Sequence, residues 1–355
     1  MREVAGLFLK LGLLGFGGPA AHIALMRDEV VRRRGWATDR EFLQLVALSN
    51  LMPGPTSTEL ALHLGRARRG VPGMLVAGAL FIGPAALMTL ALAWLYVTAG
   101  SLPRVDGLLA GVRAVMVAVL VDAIARLAPA GLGSRLQLAA GALAFGLALA
   151  GLNELAVMVV VVGLALLLTL RPRRLLAVEP VSLVAIFAAF LKIGALLYGT
   201  GYVLVAYLRT EIVGRGWLSD PQILDAVAAG QMTPGPVLSS ATFAGYLLAG
   251  VPGAVVATVA IFLPAFVFVA LAGALASRLS GSPRLRLASD VLVAASLGLL
   301  IAAAVGLGDD VLRTVPAGIA FLAALAALRL TRLGAGPLIG AGALVGALLP
   351  ALLVG

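Results

Sequence analysis

FLKLGLLGFGGPAAHIALMRDEVVRRRGWATDREF runs from Phe8 to Phe42, and FLKIGALLYGTGYVLVAYLRTEIVGRGWLSDPQI runs from Phe190 to Ile223. Laid on each other, they pair Phe8 with Phe190, Lys10 with Lys192, Gly12 with Gly194, Gly17 with Gly199, Arg27 with Arg209, Glu29 with Glu211 and Arg33 with Arg215. After one deletion, Gly35-Trp36 meets Gly216-Trp217, Asp39 meets Asp220, and Pro53-Gly54-Pro55 meets Pro234-Gly235-Pro236. After a second, Gly70-Val71-Pro72-Gly73 meets Gly250-Val251-Pro252-Gly253, and Pro84 meets Pro264. Leucine and alanine identities arise by chance between apolar helices, but the only two lysines of the chain fall on equivalent positions. The chain is a duplication, with a first repeat at 1–174, a linker at 175–182 and a second repeat at 183–355.

Of the 355 residues, 61% are hydrophobic and only 12% charged, with a mean hydropathy of +1.09. A soluble domain keeps a charged fraction near a quarter, so water is not the main solvent of this chain. Apolar runs near 74–99, 107–128, 138–170, 181–199, 253–276, 290–307, 314–328 and 334–354 are long enough for membrane helices, which need about 20 residues. The expected fold class is an all-α polytopic membrane protein of ten to thirteen helices, some incomplete, in two homologous halves. The first apolar stretch, Val4 to Ala21, carries Lys10 in its middle and reads as a retained helix, not a cleaved signal.

The net charge of +10 comes almost wholly from arginines clustered between apolar runs. Such clusters suit membrane orientation, and no soluble basic face exists for nucleic acid. Eight arginines lie between Ala20 and Pro72 but only two between Tyr202 and Pro252. Because basic loops stay cytoplasmic, this asymmetry predicts inverted repeats. Absent cysteine excludes thiolate chemistry. With two histidines and no tight carboxylate cluster, neither a metal site nor a catalytic triad can be assembled, and no cofactor or enzymatic activity is expected. His63, beside Arg66, reads as a loop residue.

Each repeat places a proline-glycine-proline triplet inside a helical stretch. Proline removes a donor and turns the preceding residue out of the helix, so both spans break there. A broken span is tolerated only where protein or a water-filled cavity satisfies the backbone, and the new helix start is an anion site. Thr56, Ser57 and Thr58 follow the first break, and Ser239, Ser240 and Thr242 follow the second. The alternative is a kinked, packed helix with Thr56 and Glu59 as a capping box.

A second motif, Phe16 to His22, opposes Tyr198-Gly199-Thr200-Gly201 and reads either as another helix break or as close packing through small residues. Lys10 and Lys192 each precede these glycines by seven residues, on one helical face, as candidate charges for an anion or as side chains reaching to the interface. Glu29 with Arg33 and Glu211 with Arg215 read as structural ion pairs, and Thr38 with Glu41 and Ser219 with Gln222 as capping boxes. The candidate substrate-binding set is Lys10, Gly17, Gly18, Pro19, Ala20, His22, Asn50, Pro53, Gly54, Pro55, Thr56 and Ser57 in the first repeat, and Lys192, Gly199, Thr200, Gln231, Pro234, Gly235 and Pro236 in the second.

FGGPAAH, a basic segment ending in Gly-Trp, the Pro-Gly-Pro triplet and GVPG ahead of a long apolar helix together resemble the chromate ion transporter family. Their repetition resembles its two-domain members, over about 8–100 and 190–276. The resemblance implies a multi-pass protein of the bacterial inner membrane that moves chromate, and sulfate, as tetrahedral dianions, fused from oppositely oriented halves. Thr200-Gly201 stands where the first repeat has Gly18-Pro19, which departs from a symmetrical pair of sites. On this reading the protein exports chromate, its partners being the oxyanion and membrane lipid, and a homodimer is compatible with the sequence. The alternatives are an uptake transporter for sulfate or another inorganic anion, an anion channel, and a non-transporting membrane subunit.

Overall fold

A computed structural model describes the chain except for residues 16–17, 51–53, 100–102, 153–156, 158–159, 162–180, 198–202, 280–282, 332–334 and 349–355. The described residues form helices and no strands: α1 (Arg2–Leu14), α2 (Gly18–Arg27), α3 (Asp39–Asn50), α4 (Thr56–Ala99), α5 (Pro103–Gly131), α6 (Arg135–Leu149), α7 (Leu183–Leu196), α8 (Leu204–Leu208), α9 (Asp220–Met232), α10 (Ser240–Leu279), α11 (Pro283–Val311), α12 (Val315–Leu330) and α13 (Ala335–Leu348). Three apolar stretches, Thr56–Thr98, Asp106–Pro129 and Val237–Leu271, are long enough to cross a membrane, and five shorter apolar helices accompany them. The chain is an all-α polytopic membrane protein built of two homologous halves.

The duplication recurs as a duplicated set of contacts. After α2 the helix widens into a π-turn at Asp28–Arg33, and after α8 into a π-turn at Arg209–Val213. Arg27 Nε donates to Asp39 Oδ1 over 2.8 Å, and Arg209 Nε donates to Asp220 Oδ1 over 2.9 Å. Arg33 pairs with Glu29 at 3.2 Å, and Arg215 likewise forms an ion pair with Glu211. Thr38 and Glu41 form a reciprocal capping box, and the Ser219 amide donates to Gln222 Oε1 at 2.9 Å. Arg34 and Arg68 lie over the Trp36 ring, and Arg215 over that of Trp217.

α4 and α10 are each a hairpin of two helical arms. Non-helical backbone at Arg69–Gly70 and at Ala249–Gly250 interrupts them, and the positive φ of Gly70 (64°) and Gly250 (58°) is one that glycine adopts without strain. The chain then folds back. A Cβ built on Gly65 would lie 2.5 Å from the Ala77 Cβ, and one on Gly245 would lie 2.6 Å from that of Ala257. Small residues thus let the two arms touch. The first arm of α4, residues 56–68, rises only about 20 Å at 1.5 Å per residue, which is too short to cross a bilayer of about 30 Å. His63, expected in a loop, lies inside this arm and is buried, because the basic residues around it mark the hairpin tip and not an extended loop.

By compactness the chain divides into two units, and each draws on both repeats. One comprises Met1–Ala93, Ser182–Gly201 and Ala229–Leu285; the other comprises Trp94–Val181, Tyr202–Ala228 and Arg286–Gly355. In the first, Val4, Leu7, Phe8 and Leu11 make one face of α1, at spacings of three and four, and pack on Met26, Val30, Phe42, Leu60, Leu64, Ala77 and Phe81. Leu9, Leu13 and Leu14 on the remaining surface of α1 are exposed, as lipid-facing residues are. Gly12 and Gly194 bring α1 and α7 against the outgoing hairpin arms, where a Cβ on Gly12 would lie 2.6 Å from the Leu80 carbonyl oxygen and one on Gly194 would meet that of Ile261.

In the second unit α5 packs on α12 and α13. Gly107 and Gly111 on α5 face Gly342 and Gly346 on α13, two small-xxx-small pairs in contact. Beside them an apolar cavity of about 500 Å³ is lined by Val115, Ala320, Ala324, Leu338 and Val345 among others. Its lining side chains are all apolar.

Candidate substrate site at two broken helices

Both proline-glycine-proline triplets fall within the first unit, and each is fastened to the opposite repeat. The Gly54 amide donates to the Leu197 carbonyl oxygen at 2.7 Å, and the Gly235 amide donates to the Gly15 carbonyl oxygen at 2.8 Å. Gly15 and Leu197 are equivalent residues, the ends of α1 and α7. Each bond is therefore the image of the other under the repeat. The triplet glycines have φ of 141° and 100°, a conformation that ordinary side chains rarely adopt. Pro55, Pro234, Gly235 and Pro236 are buried with Gly54.

After each triplet a helix begins afresh. Thr58 and Glu59 donate their amides to the Pro55 carbonyl, and Ser239 donates to that of Pro236. The amides before them, of Thr56 and Ser57 and of Val237 and Leu238, have no acceptor within their own helix, as the first amides of any helix do not. Thr58 and Ser239, which are equivalent residues, are both wholly buried, and neither hydroxyl has a hydrogen-bond partner in the protein. Gln231 Nε2, one turn ahead of the second break, is likewise buried without a partner. Buried polar atoms are paired in the great majority of cases, which makes this matched set of unpaired groups beside two helix starts a candidate binding site.

Glu59 lies on the first turn after the first triplet. It is fully buried, and both carboxylate oxygens lack a partner, so the Thr56–Glu59 capping box considered from the sequence does not form: the side chain turns back over Gly54, where a Cβ would strike it. At the equivalent position the second repeat has Ser240, whose hydroxyl donates to the Val237 carbonyl oxygen over 2.7 Å.

His22, on α2, is buried edge-on to Phe81 with ring centroids 5.3 Å apart. Its Nε2 lies 2.7 Å from the Gly15 carbonyl oxygen. A carbonyl only accepts, so Nε2 carries the proton, and the same oxygen also takes the Gly235 amide. His22 thus braces the end of α1, and its Nδ1 remains without a partner. Pro19 sits on the first turn of α2, partly buried, and for Gly18, Ala20 and Asn50 only the backbone is described, within α2 and at the end of α3. Gly17, Pro53, Gly199 and Thr200 lie outside the described residues.

Lys10 faces away from this core. Its side chain is 45% exposed, and Nζ lies 2.6 Å from Glu29 Oε1, where Arg33 and Arg34 also converge. The Lys10 ammonium first, and Arg34 with it, hold the Glu29 carboxyl below the usual carboxylate range despite its burial. Lys192 is half-buried on α7.

The model of the chromate transporter family fits residues 2–169 and again residues 184–347. The chain belongs to the chromate transporter family. Among the relatives of this family member, a chromate transport protein of Cupriavidus metallidurans is 30% identical over 368 residues, covering 97% of this chain and 91% of the relative. One of Pseudomonas aeruginosa is 33% identical over 354 residues, covering 89% and 85%. A probable chromate transport protein of Synechococcus elongatus is 29% identical over 350 residues, covering 92% and 89%. No solved structure matches this chromate transporter family chain.

The crosswise amide bonds were not foreseen from sequence, since nothing at Gly15 or Leu197 distinguishes them from other helix ends. The signal present was position: both stand immediately before the glycine motif and share the offset that relates the triplets. The sequence marks Thr58 and Ser239 only as residues following a break and Glu59 only as a capping-box partner of Thr56, because unsatisfied hydroxyls and carboxylates are visible only once the packing around them is known.

Proposed function

We propose that this protein carries chromate, a tetrahedral dianion, across the bacterial plasma membrane, and that the oxyanion binds at the two broken helices. The amides of Thr56 and Ser57 and of Val237 and Leu238, with the hydroxyls of Thr58 and Ser239 and the amide of Gln231, supply hydrogen-bond donors from both repeats. Helix starts favour negative charge through their dipoles, and donors preset in a buried site bind an oxyanion without reorganising. The prolines and glycines of the triplets hold these starts in place, and Lys192 on α7 is the candidate for a compensating positive charge, since Lys10 is turned away and paired with Glu29. The observation that carries the reading is the pair of equivalent unpartnered hydroxyls, each next to a helix start fastened to the other repeat.

The repeats are inverted in the membrane, so exchanging the conformations of the two copies exposes the site to opposite sides. Net negative charge leaving a cell that is negative inside gains about 2.3 kcal/mol per elementary charge per 100 mV, so the membrane potential favours efflux. Sulfate shares the geometry and charge of chromate and is the expected competitor.

The test is chromate flux in proteoliposomes made with the purified protein. Thr58→Val and Ser239→Ala each remove one hydrogen bond to a charged ligand, about 1.5–3 kcal/mol, so each variant should need roughly tenfold or more additional chromate for half-maximal flux. Wild-type half-saturation in both variants would refute the site.

A further inference from the structure

From Glu59 we infer that chromate crosses together with one proton, carried on this side chain. The inference rests on the transport reading above and concerns its coupling. An ionised carboxylate with neither donor nor cation beside it is among the costliest groups to keep in a membrane interior, whereas a carboxylic acid is far less so. Glu59 is fully buried and neither oxygen has a partner in the protein. It adjoins Thr58, whose unpartnered hydroxyl belongs to the oxyanion site, and it lies over Gly54 of the first triplet. A negative carboxylate there would repel an arriving dianion, so proton and dianion each favour the binding of the other. The reciprocal relation is cotransport.

The surrounding ionisable groups leave Glu59 to act alone. On its own helix His63 stands one turn on, and Arg66 donates to the Val269 carbonyl oxygen. On α1, Glu3 pairs with Arg68 and Lys10 with Glu29. On α2, His22 is held by Gly15 and Arg27 by Asp39, while Asp39, Arg40 and Glu41 lie exposed at the start of α3. α7 carries Lys192, and α10 carries Tyr246. None of these bonds to Glu59. The second repeat has Ser240 at the equivalent place, so the pair of helix breaks holds a single acid and one proton accompanies each dianion.

The experiment uses proteoliposomes with a trapped pH dye, with the membrane potential clamped by potassium and valinomycin. For the wild type, about one proton should move with each chromate in the same direction, and about one elementary charge per chromate should cross. An imposed pH gradient should drive net chromate movement against its own gradient. Glu59→Gln should still exchange chromate for chromate, but without proton movement or response to pH, and with about two charges crossing per chromate. Chromate flux in the wild type without protons, or flux that follows a sodium gradient instead, would overturn the inference, and so would proton-coupled flux in Glu59→Gln. The wild-type measurement decides the matter even if the variant fails to fold. Absence of any chromate movement by the wild type would sink the transport reading itself, a different outcome from transport without protons.

Discussion

At Asp225 a buried charge shows how far single residues in this chain depend on their partners. Its carboxylate, 1% exposed, receives Arg113 through two bonds, Nε to Oδ1 at 2.9 Å and Nη2 to Oδ2 at 2.6 Å, and the Tyr96 hydroxyl at 3.0 Å. The three come from α5, α9 and the end of α4 within the second unit. Arg113→Met removes the only cation bonded to this carboxylate among the described residues and should cost about 3–5 kcal/mol, seen as a fall in Tm of the detergent-solubilised protein. Arg113→Met combined with Asp225→Leu should recover most of the loss, since an apolar pair of similar volume leaves no charge unpaired. An unchanged Tm in the single variant would show that this pair does not hold α5 to α9. The sequence announced the local pairs, such as Glu29 with Arg33 and Thr38 with Glu41, because helical spacing alone puts them in reach. Arg113 and Asp225 lie 112 positions apart, and no local rule connects them.

Among elements, the hairpins α4 and α10 depend on glycine where their arms touch. Gly65→Ala places a methyl group 2.5 Å from both the Ala77 Cβ and the Gly73 carbonyl oxygen and should destabilise by about 1–3 kcal/mol through overpacking. Gly83→Ala, in the same element but with nothing within 4 Å of the added Cβ, should be neutral or stabilising by up to about 1 kcal/mol. Thermal unfolding of the two variants side by side provides the check; equal stabilities would mean that the arms do not meet at Gly65. The triplet breaks were legible in the sequence because proline has a fixed chemical consequence wherever it stands in a helix. The reversal at Gly70 and Gly250 was not, since Gly-Val-Pro-Gly is compatible with a kink, a cap or a full turn. Which of these forms depends on whether the two arms can pack.

Across the whole molecule, the repeats and the compact units do not coincide. The first unit needs α1 to α4 from one repeat and α7, the end of α9 and α10 from the other, joined by the two crosswise amide bonds at Gly54 and Gly235. Fragments 1–174 and 183–355, expressed separately, should therefore be degraded or aggregate, whereas co-expressed fragments should purify as a complex through a tag on either one. Stable, monodisperse single fragments would contradict this interdependence. Composition and repetition by themselves determined the solvent, the helical class, the duplication and the two breaks, because each follows from chemistry confined to a short stretch of chain. The tertiary structure alone decided that each break is closed by the opposite repeat, and that Thr58, Ser239 and Glu59 are buried without partners. Burial and hydrogen-bond satisfaction are properties of what surrounds a residue, and here the surroundings come from the other repeat, as the bonds of Gly54 to Leu197 and of Gly235 to Gly15 show.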